Sequence, residues 1–232
     1  MKLKKPIKIT LGVIIFLTLP SLLFCGYLYF KHHQNVPAGI VGKDADNLAT
    51  KMLIALNYEA YTSTDYVEWT FKNRRHYKWE KAKHTCEVFW KDYKIRLDLK
   101  NHSESKAFVH GFTIEGEMGI ELVEKGLDYF QKDIFWLNAP FKIFDEGVTR
   151  ELVRTENLNN GLLVTNPNNE TYLWHLDDEG KPIKVSMWDT RVPIDGLTAE
   201  YGNWQIAETG VKLPTLHKVL FTTLEISDLK AH

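Results

Sequence analysis

Nine histidines and two cysteines are the residue types best able to bind a metal or act as a nucleophile, and neither type gathers along the chain. His76 and His84 fall where adjacent strands would bring them together across a sheet. A metal pair is the sharp reading, and two half-exposed strand positions the plain one. His175, between Trp174 and Leu176 on a strand, is expected to face solvent, and nothing around His217 suggests a role. Asp177-Asp178-Glu179 has the acidity of a calcium loop, but lacks its glycine spacing and its closing glutamate. With Gly180-Lys181-Pro182 it reads as a solvated hairpin turn. Cys86 alternates with Val88 and Trp90, so it reads as a small buried apolar residue. A nucleophilic role would need a local signature that is missing.

Longer motifs are missing too. There is no glycine-rich phosphate loop, no His-Glu-x-x-His, no Gly-x-Ser-x-Gly and no Cys-x-x-Cys. The sequence therefore assigns no catalytic residue, no metal and no cofactor. Asn101-His102-Ser103 and Asn169-Glu170-Thr171 are sequons that matter only in a eukaryotic secretory pathway. Arg74, Arg75 and His76, with Lys72, Lys78, Lys81 and Lys83, make a local basic cluster. It reads as a solvated hairpin, or as a contact for anionic lipid headgroups. The chain as a whole has 29 basic and 30 acidic residues, a balance that excludes a general nucleic-acid binder.

What stands out is aromatic: 7 Trp, 10 Tyr and 12 Phe, with the tryptophans spread over many predicted strands. Period-two alternation places Val67, Trp69 and Phe71 on one face, then Cys86, Val88 and Trp90, then Tyr93, Ile95, Leu97 and Leu99. Further strands are predicted near 107–114, 148–154, 161–165, 171–176, 183–189, 198–207 and 211–226, about ten in all. Two stretches have a helical period instead. Asp44 or Asp46 caps one that runs to about Tyr58, with Leu48, Ala49, Met52, Leu53, Ala55 and Leu56 on its apolar face. The other covers 117–134, with a stripe of Ile120, Val123, Leu127, Phe130 and Ile134. An aromatic segment stopped by a proline, Phe135 to Pro140, follows it.

The uncharged run from Ile9 to Phe30 has 22 residues, roughly 33 Å as a helix, enough to cross a bilayer core of about 30 Å. Lys2, Lys4, Lys5 and Lys8 precede it and Lys31 follows, so the positive-inside rule puts residues 1–8 in the cytoplasm. An uncleaved anchor is the favoured reading. A lipoprotein with Cys25 as its lipidated residue and a cleaved signal peptide are the alternatives. The expected organisation is a tail (1–8), an anchor (9–30), a linker (31–43) and one extracytoplasmic domain (44–232).

Several segments resemble a family of bacterial envelope proteins that has no established activity. They are Lys51-Met52-Leu53, Trp69-Thr70-Phe71, Phe135 to Pro140, Gly161 to Thr165, Tyr172-Leu173-Trp174 and Glu208-Thr209-Gly210. In element order the chain is also similar to the bacterial lipoprotein carriers and receptors of the LolA/LolB type. That resemblance implies a curved antiparallel half-barrel with helices as a lid over an apolar cavity that holds acyl chains, and no catalysis.

The expected fold is α+β: a curved antiparallel sheet, open or half-barrel, with helices over its concave face. The expected function is binding of an acyl chain, a lipid or a lipoprotein at the outer face of a bacterial inner membrane. The residues expected to line the cavity are Trp69, Phe71, Trp90, Ile95, Leu97, Leu127, Phe130, Trp136 and Trp174. Membrane lipid or an acylated ligand is the expected partner, with an envelope protein possible in addition. A module with a filled core that binds an envelope protein is the alternative, and an enzyme with an unrecognised site a third.

Overall fold

Fourteen antiparallel strands form one open sheet in the computed structural model, which describes residues 5–155 and 158–232. A long helix α1 (Lys5–His32) leads to a short edge strand β1 (Ile40–Val41), then α2 (Lys43–Ala55) and α3 (Tyr58–Ser63). A first meander runs β2 (Tyr66–Phe71), β3 (Arg75–Glu80), β4 (Thr85–Trp90), β5 (Tyr93–Asp98), β6 (Lys106–Val109) and β7 (Phe112–Ile114). Helix α4 (Gly116–Asn138) follows. The second meander is β8 (Thr149–Thr155), β9 (Leu158–Thr165), β10 (Thr171–Leu176), β11 (Pro182–Trp188), β12 (Leu197–Ile206), β13 (Lys212–Val219) and β14 (Thr222–Ala231). The two meanders join where β14 pairs with β2, with Ile226 opposite Phe71, so β7 and the β1–β8 pair are left as the outer edges.

Helix α4 explains the curvature. It has 23 residues, about 34 Å, and touches β5 and β6 in one meander and β13 in the other. Those strands are separated by β14, β2, β3 and β4, so the sheet must bend around the helix. Bulges in β10, β14 and β8 supply local bends.

The concave face holds the main core. Val67, Trp69, Phe71, Tyr77, Cys86, Val88, Ile95 and Leu97 point into it from the first meander, Trp174, Met187 and Tyr201 from the second, and Met52 and Leu56 from α2. A smaller cluster of Val153, Leu163, Leu173 and Trp188 lies on the opposite face. Beside it the segment after α1 docks: the Trp188 indole donates to the Gln34 carbonyl at 2.6 Å, and Gln34 N donates to the Asp195 carbonyl at 2.9 Å.

The strand count exceeds the sequence reading by four. Residues 107–114 are two strands broken at His110 and Gly111, both with positive φ. Residues 211–226 break at Leu220 and Phe221, an apolar pair that gives no turn signal. Strand β3 is mostly polar on its outer side and was hidden among basic residues, and β1 is only two residues long.

The first apolar helix also divides. Asn57 sits in the left-handed region (φ 58) and ends α2 before α3 starts. Neither Asp44 nor Asp46 caps α2: Gly42 occupies the cap, and Asp46 instead accepts from Arg150 Nε at 2.8 Å. Helix α4 runs on through Asn138, four residues past the predicted end, so Trp136 belongs to it. The stretch Gly12–His32 of α1, with Pro20 inside it, is the one helix among the described residues long and apolar enough to cross a membrane. Lys2 and Lys4 lie outside the described residues.

Candidate functional site

The C-terminal half of α4, Phe130 to Asn138, is apolar on nearly every side because it sits in the hollow of the sheet. Gln131 and Lys132 face solvent, and one buried charge interrupts the inward side. Asp133 is 2% exposed, and burial raises its carboxyl pKa against the opposing pull of Arg75 and Tyr77. Arg75 donates through Nε at 2.6 Å and Nη2 at 3.0 Å, and the Tyr77 hydroxyl donates as well. The guanidinium lies 4.5 Å from the Tyr129 ring and 5.4 Å from that of Phe71. Three donors occupy the carboxylate, so it works as a staple between α4 and β3 and not as a proton-transfer group.

Beside the staple a cleft of about 600 Å³ opens between α4 and the end of the sheet. Phe71, Phe135, Trp136, Met187, Val192 and Leu224 form its apolar wall, and its polar side carries Lys72, Lys132 and the ion pairs Arg75–Asp133 and Arg191–Asp189. Arg191 is held by Glu170 at 3.0 Å, by Asp189 at 2.9 Å and by the Tyr172 hydroxyl, with its guanidinium 4.3 Å from the Phe135 ring. Burial raises the Asp189 pKa, although the backbone N–H groups of Arg191 and Val192 oppose it. The Arg191–Phe135 stack is shared with a second, smaller cleft of about 220 Å³ lined by Ile134, Asn138, Ile143, Val164, Tyr172 and Trp174.

Behind Trp136 lies a buried polar pair. His217 faces Tyr201 across β13 and β12 with ring centroids 4.4 Å apart, and the Trp136 ring is 5.0 Å from His217. His217 is fully buried, neither ring nitrogen has a hydrogen-bond partner, and burial pushes its pKa down to about 3. It is therefore a neutral imidazole. The Tyr201 hydroxyl and Trp204 Nε1 are likewise unpartnered. Alternation along β13, which puts His217 in step with Leu213 and Val219, was the signal available for this burial.

Two solved structures share the fold weakly. One is a LolA-superfamily protein of Nitrosomonas europaea, 12% identical over 80% of this chain and 92% of that one, with a TM-score of 0.33. The other is a Vibrio parahaemolyticus domain described as an outer membrane lipoprotein-sorting protein, 13% identical over 79% and 93% of the two chains, with a TM-score of 0.36. No family model and no curated protein matches the sequence.

The nine residues expected to line a cavity do come together. Seven are in the buried core, with Leu127 and Trp136 packed against it. They do not share one cleft. Phe71 and Trp136 line the larger cleft, Trp174 the smaller, and Leu127 a third of about 810 Å³ under the N-terminal half of α4. Trp69, Trp90, Ile95, Leu97 and Phe130 line none of the three and pack on one another. Trp69 stacks on Tyr77 at 4.6 Å, and Phe130 meets Trp79 edge-on at 5.8 Å. Sequence reasoning named Arg75 only as part of an exposed basic cluster and missed Asp133, Met187, Arg191 and Leu224, which gather from separate elements with no motif among them.

Other sequence readings need correction. His175 does not face solvent: it is half-buried, pairs with the Ser186 hydroxyl at 3.1 Å, and is pushed down to about 4 by burial and then by Lys184. His76 and His84 stand at opposite ends of β3. His76 contacts Thr70 Oγ1 at 2.9 Å and Glu68 at 3.3 Å, while His84 occupies a turn. Among the described residues no three His, Cys, Asp or Glu side chains converge as a metal site would require. The basic cluster also separates: Arg75 turns inward to Asp133, and Lys81 lies 4.0 Å from the Tyr61 ring at the other end of β3.

Proposed function

We propose that this chain is a membrane-tethered, non-catalytic binder of a lipid or acylated ligand, and that the cleft between α4 and the β11–β12 loop receives it. The observation that carries the reading is the position and lining of that cleft. Its wall is apolar, Lys72 and Lys132 stand at its side beside the paired arginines, and its volume of about 600 Å³ falls in the usual range for small-molecule sites. It opens at the end of the sheet to which α1 is attached. The loop that lines it, Asp189 to Val192, continues to Asp195, which accepts from the backbone of Gln34 just after α1. A ligand leaving the bilayer would meet Leu224, Trp136 and Phe71 first, with Lys72 and Lys132 beside its headgroup. Burial of apolar area, at about 25 cal/mol per Å² before ordering costs, would supply the affinity.

The tether is proposed to be an uncleaved anchor in a bacterial inner membrane, with its N-terminus in the cytoplasm and residues 44–232 as one periplasmic domain. The chemistry of the site supports a non-catalytic role: Asp133 and Asp189 are both engaged by arginine.

A second reading has its own support. The centre of the sheet is filled by Trp69, Tyr77 and Phe130, while Ile120, which lines the third cleft, is 61% exposed, and Phe112 and Met118, each next in sequence to a residue that lines it, are 77% and 62% exposed. That pattern fits a module that docks an envelope protein.

Displacement of a fluorescent fatty acid from the detergent-solubilised full chain, with native mass spectrometry for co-purifying lipid, tests the first reading. Trp136→Ala and Leu224→Asp should weaken binding at least tenfold, and Ile120→Asp should leave it unchanged. If wild type neither binds the probe nor carries lipid, the docking module is the better account.

A further inference from the structure

The turn between β13 and β14 consists of two residues, Leu220 and Phe221, closed by the pair Val219 and Thr222. Two-residue hairpin turns need positive φ and favour Asn-Gly or Asp-Gly, because those residues tolerate that backbone and the tip faces water. Elsewhere this chain obeys the rule. Ten non-glycine residues among those described have positive φ; nine are Asn, Asp, Lys or His, and the tenth is Leu220. Leu220 is 39% exposed and Phe221 77% exposed. An apolar pair at such a tip is poorly suited to the turn and poorly suited to water, which requires a different surrounding.

The surrounding is indicated by α1. The Phe221 ring packs on Phe24 with centroids 6.2 Å apart and planes 25° from parallel. Phe24 lies within the apolar stretch Gly12–His32, eight residues before its end, which is about 12 Å along the helix axis. Tyr27, Tyr29 and Lys31 fall between Phe24 and that end, the residue types that settle at a membrane–water boundary. A side chain beside Phe24 is therefore below the headgroups of any bilayer that α1 spans.

The next turn has the opposite character. Lys72, Asn73 and Arg74 join β2 to β3, and Lys72 N donates to the Glu225 carbonyl at 2.8 Å. Glu225 is four residues up β14 from Phe221, about 13 Å at the rise of a strand. With the tip in the acyl region, this basic turn stands near lipid phosphates.

We propose that Leu220 and Phe221 insert into the leaflet through which α1 exits, with Lys72 and Arg74 on its anionic headgroups, so that the hairpin is a second, wedge-like attachment to lipid. The proposal rests on α1 spanning the membrane and does not depend on whether the cleft holds a ligand.

Single cysteines at Phe16, Phe221 and Asp178 in a Cys25→Ser, Cys86→Ala background would carry an environment-sensitive fluorophore. The full chain would be reconstituted in vesicles of phosphatidylethanolamine and phosphatidylglycerol. Phe16→Cys reports the span and Asp178→Cys the opposite end of the sheet. The label at 221 should show blue-shifted emission and strong quenching by shallow spin-labelled lipid, as a lipid-embedded site does, while 178 stays aqueous. An aqueous signal at 221 overturns the proposal, whether or not 16 reports lipid. Replacing Leu220-Phe221 by Asn-Gly keeps a favourable turn, so a label at Thr222→Cys should then lose its quenching. Unchanged quenching there would also sink the idea.

Discussion

The two halves of α4 carry the same apolar stripe and rest on the sheet quite differently. From Phe130 to Asn138 the helix is embedded: Phe130, Ile134, Phe135 and Leu137 are buried, and Asp133 is stapled to β3 by Arg75 and Tyr77. From Gly116 to Val123 it stands over an open cleft, with Met118 and Ile120 largely exposed. Gly119 alone is buried there, against the Ile114 carbonyl, with which any side chain would collide. The difference shows where stability and freedom reside in this lid. The embedded half is fixed by a satisfied charge, and the other half by backbone proximity at one glycine.

The largest effect should come from removing the staple. Asp133→Ala leaves Arg75 without its carboxylate between two aromatic rings, and breaking a buried pair typically costs about 3–5 kcal/mol. The loss should sit at the low end, since the Arg75 side chain is 20% exposed and can reach water. Asp133→Asn, which still accepts hydrogen bonds, should lose less. Urea midpoints of the detergent-solubilised chain, followed by tryptophan fluorescence, measure both. A change under about 1 kcal/mol for the alanine variant would show that the embedded half does not depend on the staple.

Acid should act on the same half through His217. Its folded pKa of about 3 lies below the unfolded value near 6.5, so between those limits the unfolded chain binds the extra proton. Stability is therefore full above pH 6.5 and falls on acidification, by about 2–3 kcal/mol at pH 4.5. His175, pushed down to about 4, adds to the fall. The expected signature of His217 is a difference. Relative to wild type, His217→Leu should gain stability steadily as the pH drops from 6.5 to 4.5. A constant gap would mean that water reaches the imidazole behind Trp136.

Most of the strand pattern was legible because burial alternates cleanly. Val67, Trp69 and Phe71 are all buried, as are Cys86, Val88 and Trp90. Strand β3 escaped because its outward residues, His76, Lys78 and Glu80, are polar, its inward face begins with the charged Arg75, and only Tyr77 is fully buried. The β13–β14 break escaped because Leu220-Phe221 continues the apolar run. The cleft was less legible than the sheet. Phe71 and Trp136 were identified from their type, but Arg191 and Leu224 reach the site only through tertiary contacts between strands far apart in the chain. Nor could periodicity distinguish the two halves of α4: Ile120 and Ile134 occupy equivalent places in one stripe, yet one is 61% exposed and the other 8%.

The middle of the helix tests how sharply the halves divide. Leu127 is half-buried and packs against the core at the edge of the third cleft. A charge there can reach water along the open side, so Leu127→Asp should cost about 1–3 kcal/mol, less than a fully sealed position would. A loss as large as that of Asp133→Ala would extend the embedded half back by one turn.

The smallest effect should come from Ile120. At 61% exposure it buries little apolar surface, and the added charge of Ile120→Asp would remain in water. It sits in the second turn of α4, where a negative charge is mildly favoured by the helix dipole. Aspartate is a poorer helix former than isoleucine by only a few tenths of a kcal/mol, so the two terms roughly cancel. The net change should stay within about 0.5 kcal/mol, as at surface positions generally. Urea midpoints compared with Leu127→Asp give the measurement. A cost above about 1.5 kcal/mol would mean that the N-terminal half of α4 closes over the third cleft in solution, and that the two halves dock alike. If instead the midpoint is unchanged but Ile120→Asp loses a co-purifying envelope protein, the exposed stripe is a docking face, and the comparison becomes one between a structural half and a functional half.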